Sequence, residues 1–299
     1  MSDTMPGLRR QIANAGDLQS VVRTMRALAA SGIGRYERAV VALAEYDQAI
    51  ALALGACLRE EGPDGAPQAR AVPGQAGAVV VFGTDQGLVG EFNDLVVDEA
   101  LRALAALPVR PRVWVVGERA GARLLDAGVA VTRTHPVPPT IEAIDGLVGR
   151  LQVDIERQSG PAGPPLLAVF HNRPLPGALY EPTRRQLLPL DASWVRARTA
   201  TPWPTRTPPQ VVGDRTVTLR ALIREVLFIA LYRACAESLA SENASRLAAM
   251  QRADRSIDES LEALHGQFDR LRQGAIDAEL FDVTAGYELL SAGAGRPRA

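Results

Sequence analysis

The sequence predicts a mixed α/β protein: an antiparallel two-helix coiled coil formed by the N- and C-terminal helices, with an inserted Rossmann-like α/β domain. Three observations predict it. Long blocks with almost no proline, and with apolar residues at steps of three and four, occupy both ends of the chain. Between them, short apolar runs alternate with amphipathic stretches. Pro/Gly-rich punctuation separates these blocks, giving expected segments 1–60, 77–195 and 210–290.

The first block runs from about Met5 to Arg59 and has no proline after Pro6. Leu18, Val22, Met25 and Ala29, then Tyr36, Val40 and Leu43, then Ile50 and Leu54, fall on one helical stripe. A helix of that length reaches about 80 Å, too long to be buried inside a small domain. Residues 60–77 read as a loop.

The grammar then changes. Ala78–Phe82 (AVVVF), Arg112–Val116 (RVWVV) and Leu166–Phe170 (LLAVF) read as buried strands. Asp94–Leu107, Glu118–Leu125 and Ile141–Arg157 read as the helices between them. That alternation argues for βαβ units and a mostly parallel sheet. Arg196–Pro209, with four prolines, breaks periodic structure.

From about Thr216 to Leu290 proline is absent again. A seam reads Leu219, Leu222 or Ile223, Val226, Ala230, Leu247 and Met250, then Ile257, Leu261, Leu264, Phe268 and Leu271. The last five follow a 4-3-4-3 rhythm, the period of a coiled-coil contact. Continuous, this block would extend about 110 Å. Two long helices with one apolar stripe each are best buried against one another. Such a pair still leaves much surface uncovered, so a partner sleeve is expected.

Composition excludes several chemistries. The 299 residues are 47% hydrophobic and carry a net charge of -1, which gives no reason to expect nucleic acid. No run of about 18 uncharged apolar residues occurs, and MSDTMPGLRR lacks a signal peptide's apolar stretch. There is no lysine, so all 33 basic residues are arginine, and a P-loop or a Schiff-base lysine is absent. Cys57 and Cys235 show no metal spacing. His135, His171 and His265 read as surface or hydrogen-bonded structural residues. The glycine turn Gly83–Gly90 is spaced G-x3-G-x2-G, not as a dinucleotide fingerprint. Gly87 and Gly90 there read as tight turn and close helix packing, and Asp85 as a cap of the following turn. No cofactor and no metal are expected.

Three local motifs carry a resemblance. Thr24-Met25-Arg26-Ala27-Leu28-Ala29-Ala30-Ser31 lies in the first helix, and Thr84-Asp85-Gln86-Gly87-Leu88-Val89-Gly90-Glu91-Phe92-Asn93 follows the first strand. Ser238-Leu239-Ala240-Ser241-Glu242, with Arg246, Ala249 and Met250, continues to Arg270-Leu271-Arg272-Gln273, Ile276, Glu279 and Gly286. In order, from about residue 8 to 290, these resemble the gamma subunit of F-type ATP synthases. Gly32 stands where that family usually has lysine, Val89 where it has cysteine, Asp277 where it has threonine and Asp269 where asparagine is common. The wording GDLQSVVRTMRALAAS and GTDQGLVG is similar to the alternative, sodium-coupled type of F-ATPase.

The resemblance implies a non-catalytic central rotor stalk that couples ion translocation to ATP synthesis or hydrolysis. Implied partners are the alpha and beta subunits of the catalytic hexamer, the epsilon subunit and the membrane c-ring. Implied placement is peripheral, through the complex, at the cytoplasmic face of a bacterial cell membrane. Met25 and Arg246 match positions facing the catalytic subunits' lever loops; Arg272 and Gln273 match positions engaging loops higher in the hexamer, and Glu279 belongs to the same pattern. The alternatives are a coiled-coil scaffold or a small-molecule-binding α/β protein unrelated to rotary ATPases.

Overall fold

A computed structural model describes residues 4–61, 76–160, 163–175, 178–207 and 209–294. Most of the loop expected over 60–77 and the last five residues of the chain lie outside these. The chain divides into two compact units, one of Leu28–Ala249 and one of Met1–Ala27 with Met250–Ala299. Helices α1 (Met5–Glu61) and α6 (Arg215–Ala294) contribute to both.

In the larger unit follow β1 (Ala78–Phe82), α2 (Phe92–Ala105), β2 (Arg112–Val116), α3 (Glu118–Asp126), β3 (Val131–His135) and α4 (Glu142–Ser159). Then come β4 (Leu167–Leu175), β5 (Ala178–Leu188) and α5 (Ala192–Ala200). The sheet order is β3-β2-β1-β4-β5, parallel except for the antiparallel β4/β5 pair. The central strands are apolar runs because both faces are covered. Val79, Val81, Val113, Val115 and Phe170 face α2 and α3 through Val96, Val97, Ala120 and Leu124. Val80, Phe82, Trp114 and Val169 face Ile144, Leu147 and Leu151 of α4 and Leu231, Cys235 and Leu239 of α6. Each such side chain contributes about 1.5–3 kcal/mol by its burial.

Three elements were not expected. β3 (VTRTH) and β5 sit at the sheet's edges, where exposed polar residues break the apolar run and Pro182 is tolerated. The stretch read as aperiodic from Arg196 begins inside α5, which the Asp191 carboxylate caps by accepting from Trp194 N at 2.9 Å.

Pairing of α1 with α6 is antiparallel in each unit: partner numbers on α6 fall as those on α1 rise. In the larger unit, Tyr46 Oη donates to Glu225 at 2.8 Å, and Gly32 faces Asn243. A Cβ on Gly32 would lie 2.6 Å from Asn243 Oδ1, so a larger residue here would require the Asn243 side chain to move. Near Leu219 a third cluster packs Leu54, Cys57 and Leu58 of α1 with Trp194 and Val195 of α5. An 18-residue window of α1 reaches a mean hydropathy of 1.4, enough by length and composition to cross a bilayer, yet the helix lays its apolar flank on α6.

In the smaller unit, Arg9 stacks over Phe268 at 5.3 Å and Gln19 bonds Asp258. Arg23 and Arg26 both reach Asp254. Buried and half-buried positions on α6 run Met250, Asp254, Ile257, Leu261, Leu264, Phe268, Leu271, alternating four and three. On α1 the matching set is Leu8, Ile12, Ala15, Gln19, Val22 and Arg26. The expected stripe is therefore corrected: Leu18 is 54% exposed, and the polar Gln19 and Arg26 take seam positions because Asp258 and Asp254 answer them.

Gly117 joins β2 to α3 at φ 105°, and a Cβ there would lie 2.5 Å from Thr84 N. We expect Gly117→Ala to lower unfolding stability by about 1–3 kcal/mol, because both the backbone conformation and the close approach are lost. Urea denaturation of the full chain checks this; an unchanged midpoint would contradict the packing argument.

Candidate functional site

The most densely hydrogen-bonded feature is the loop after β1, where the second motif lies. Thr84 is fully buried: its N–H donates to Asn93 Oδ1 at 3.0 Å, and its hydroxyl donates to Gln86 O at 2.7 Å. Asn93 Nδ2 donates back to Thr84 Oγ1 at 2.9 Å. Asp85 does not cap its own turn. Its carboxylate accepts from Glu118 N at 3.0 Å and from Val137 N at 2.9 Å, so it caps α3 and ties down the segment after β3.

That geometry bears on the nucleotide question. The N–H groups a phosphate would use at the start of α3 already face a carboxylate of the chain itself. Gly90, at φ 57°, makes the turn, whereas a Cβ on Gly87 would touch only the tip of Arg119, so close helix packing does not explain that residue. Leu88 between them has φ 62° and is 62% exposed. Among the described residues, no group of three or more His, Cys, Asp or Glu side chains converges on a metal position. His171 is buried against Glu237 at 2.7 Å, His135 is buried beside Asp154, and His265 is exposed. Burial pushes the His135 imidazole below its ordinary value.

The third motif explains itself as the seat for this loop. Ser238, Ser241 and Ser245 are buried along one flank of α6. Ser241 Oγ donates to Asn172 O at 3.0 Å, and Ser245 Oγ donates to Val89 O. Asn172 Nδ2 in turn donates to Phe92 O at 2.8 Å. Small hydroxyl side chains let backbone carbonyls approach the helix and satisfy them there.

Arg246 lies on the same stretch, and it points to a partner within the chain. Its Nη2 lies 2.6 Å from Glu242 Oε1, with the two side chains only 14% and 9% exposed. Burial holds the Glu242 carboxyl above the ordinary carboxylate range, Arg246 opposes that shift, and Asp85 adds to it. Val89 and Arg246 thus belong to one junction, which spacing alone did not connect.

The other expected contact residues fall in the smaller unit. Met25 is half-buried, one position from the Arg26–Asp254 pair. Arg272, Gln273 and Glu279 are exposed, and Arg272 meets only Asp269, at 3.4 Å one turn back. Met25 is not brought together with them, because they lie past the Arg9–Phe268 contact at the other end of the pairing. Beyond Leu271, Ile276, Leu280, Phe281, Val283 and Tyr287 are 57–74% exposed. The polar seam of Arg23, Arg26 and Asp254 was missed by the apolar-stripe reading. Its sequence signal is the charged residues at 4-3 positions.

Comparison with known proteins places these features. The sequence model described as ATP synthase matches residues 4–290. An ATP synthase gamma chain of Phenylobacterium zucineum is 25% identical over 291 residues, covering 95% of this chain and 98% of the relative. The ATP synthase gamma chain of Acidiphilium cryptum is 26% identical over 299 residues, covering 96% and 99%. Among solved structures, a chain of the Euglena gracilis mitochondrial ATP synthase (OSCP/F1/c-ring, rotational state 3) aligns with a TM-score of 0.61 at 14% identity, over 98% of this chain and 97% of that one. A chain of the Tetrahymena thermophila mitochondrial ATP synthase central stalk/c-ring gives 0.53 at 18%, over 78% and 99%. At such identities the structures speak to the fold.

The buried Glu242–Arg246 pair generates a sharp expectation. Arg246→Ala leaves a carboxylate without its counter-charge and should destabilise the chain by about 3–5 kcal/mol near neutral pH. A carboxyl whose folded pKa is raised contributes stability that is present below its ordinary value and lost as pH rises through the raised one. The variant's deficit should therefore shrink on acidification, and adding Glu242→Gln should recover much of it and flatten the pH dependence. Chemical denaturation of wild type, single and double variants at neutral and acidic pH checks this; a deficit independent of pH and of Glu242→Gln refutes it.

Proposed function

The chain belongs to the ATP synthase family, and on that footing we propose that it serves as the gamma subunit, a non-catalytic central rotor stalk. Its terminal segments 1–60 and 210–290, which carry the paired helices α1 and α6, act as the shaft inside a ring of alpha and beta subunits. The α/β segment 77–195 meets the epsilon subunit and the membrane c-ring. The subunit is peripheral, held at the cytoplasmic face of a bacterial membrane through the complex.

One observation carries this reading. α6 is an uninterrupted 80-residue helix, and its stretch past Leu271 keeps a row of large apolar side chains exposed. Such a row fits a surrounding sleeve better than open solvent. The chemistry of coupling then needs no catalytic group on this chain. An asymmetric shaft contacts three otherwise equivalent sites differently, and each site shifts toward the conformation that the local contact favours. Turning the shaft permutes those preferences, so ion flow through the ring and ATP turnover become linked equilibria.

Within this reading Arg272, Gln273 and Glu279 are the outward polar contacts, and Met25 supplies a soft apolar one. Arginine can pair bidentately with acidic loops as they pass. Arg246 contributes differently from the others, since its guanidinium is committed to Glu242; its part in contacting the catalytic subunits requires that pair to be shared or exchanged.

Co-expression with the alpha and beta subunits of the same cell should yield a stoichiometric complex with ATPase activity. In it, Arg272→Ala with Gln273→Ala should reduce coupled turnover severalfold while leaving the isolated chain's denaturation midpoint unchanged, because both side chains are exposed. Failure to capture an ATPase hexamer argues against the rotor assignment. Unaltered turnover in an assembled complex argues against these two residues alone.

A further inference from the structure

Between β5, α5 and α6 lies a cavity of about 120 Å³ that is lined by three arginines, Arg185, Arg198 and Arg233. Its acidic groups are already engaged. Asp47 accepts from Arg233 at 3.2 Å, and Asp191 caps α5. Glu237, which also acts on Arg185, is held by His171. Arg198 stacks over Trp194 at 5.2 Å. Arg185 is exposed and its guanidinium makes no hydrogen bond or ion pair among the described residues, and the Nε of Arg233 is buried without a hydrogen-bond partner. Leu187, Leu227 and Ile229 supply the apolar part of the wall.

Arg185 and Arg233 line the same cavity and repel one another across it, Arg185 exposed and Arg233 half-buried. Partial loss of water and the charge of Arg233 together push the Arg185 guanidinium below its ordinary value. An arrangement with surplus positive charge and unused N–H donors in a concave site is the chemistry that recognises an oxyanion. The volume has room for about four water molecules, which suits one phosphate group.

We propose that this cavity is an anion site that binds a phosphate group, with Arg185 and Arg233 as the principal donors. Trp194 and the apolar wall cover one side of the ion, which strengthens the pairing there. Asp47 competes with the anion for Arg233, so it weakens the site. Two sources share this chemistry, the free ion and the terminal group of a nucleotide whose remainder stays outside the cavity, and competition with ADP distinguishes them.

Isothermal titration of the full chain with inorganic phosphate, at ionic strength held constant with chloride, tests the assignment. We expect saturable binding that weakens at least tenfold in Arg185→Gln and tightens in Asp47→Asn, with both variants retaining the wild-type circular dichroism spectrum. Should Arg185→Gln fail to fold, Arg233→Lys serves in its place and is expected to weaken phosphate severalfold. ADP that competes with phosphate and is lost in Arg185→Gln identifies a nucleotide's phosphate as the source, whereas ADP without effect identifies the free ion; both uphold the site. No saturable phosphate binding to the wild type, or equal affinity in the folded variants, overturns it.

Discussion

A narrow apolar seam along each terminal helix, covered in large part by the opposite terminal helix, is the constraint on which the rest depends. The four-and-three rhythm places one side chain per half-heptad toward the partner, so the contact is continuous but thin. Its polar members give it identity. Gln19, Arg26 and Asp47 on α1, and Asp254 on α6, hold seam or near-seam positions, and each is answered across the interface by Asp258, Asp254, Arg233 and Arg23. Apolar contacts alone would tolerate slippage by a heptad. A charge that meets its partner in one register makes the slipped alternatives leave an ion unanswered, which disfavours them modestly, by about 1 kcal/mol or less per half-exposed pair.

Where α6 passes the α/β layer, the demand changes. From Ile229 to Glu242 nearly every position is buried, as expected for a helix covered on all sides. Leu231 and Cys235 serve the sheet, and the serine flank serves the loop after β1. Burial also pushes the Cys235 thiol far above its ordinary value, so it acts as a small apolar group. The helix is thus both a core element of the larger unit and half of a coiled coil. This explains why its sequence reads as small and apolar here and as charged further on.

Much of this was legible from residue order. AVVVF, RVWVV and LLAVF announced β1, β2 and β4 because both of their faces are covered. β3 and β5 were not announced, since an edge strand exposes polar residues on one flank and loses the apolar run. α5 was hidden behind prolines that follow it. At the site, Asp85 was read as a cap of the turn that follows it, whereas the helix it caps comes 33 residues later, a tertiary relation that spacing does not encode. Leu18 was assigned to the seam for being apolar. A hydrophobicity pattern cannot register that a glutamine with an aspartate opposite it competes for the same position.

The distribution of polar and apolar contacts also bears on how a turning subunit could work. The strong directed interactions, Glu242 with Arg246, Asp254 with two arginines and Asp85 with two N–H groups, all point inward. They are the contacts that hold an element stiff, and breaking one of them is costly. Past Leu271 the side chains left outside include a row of large apolar ones, Ile276, Leu280, Phe281, Val283 and Tyr287. Apolar contact is non-directional and depends on area, so it changes little as one surface slides past another. A sleeve that gripped this stretch by hydrogen bonds would have to break several at every step and would pin the shaft. Rigidity inside and low directionality outside are therefore complementary requirements of one rotating part, and the sequence serves the first by placing Glu242–Arg246 and the Asp254 pairs within the chain's own interfaces.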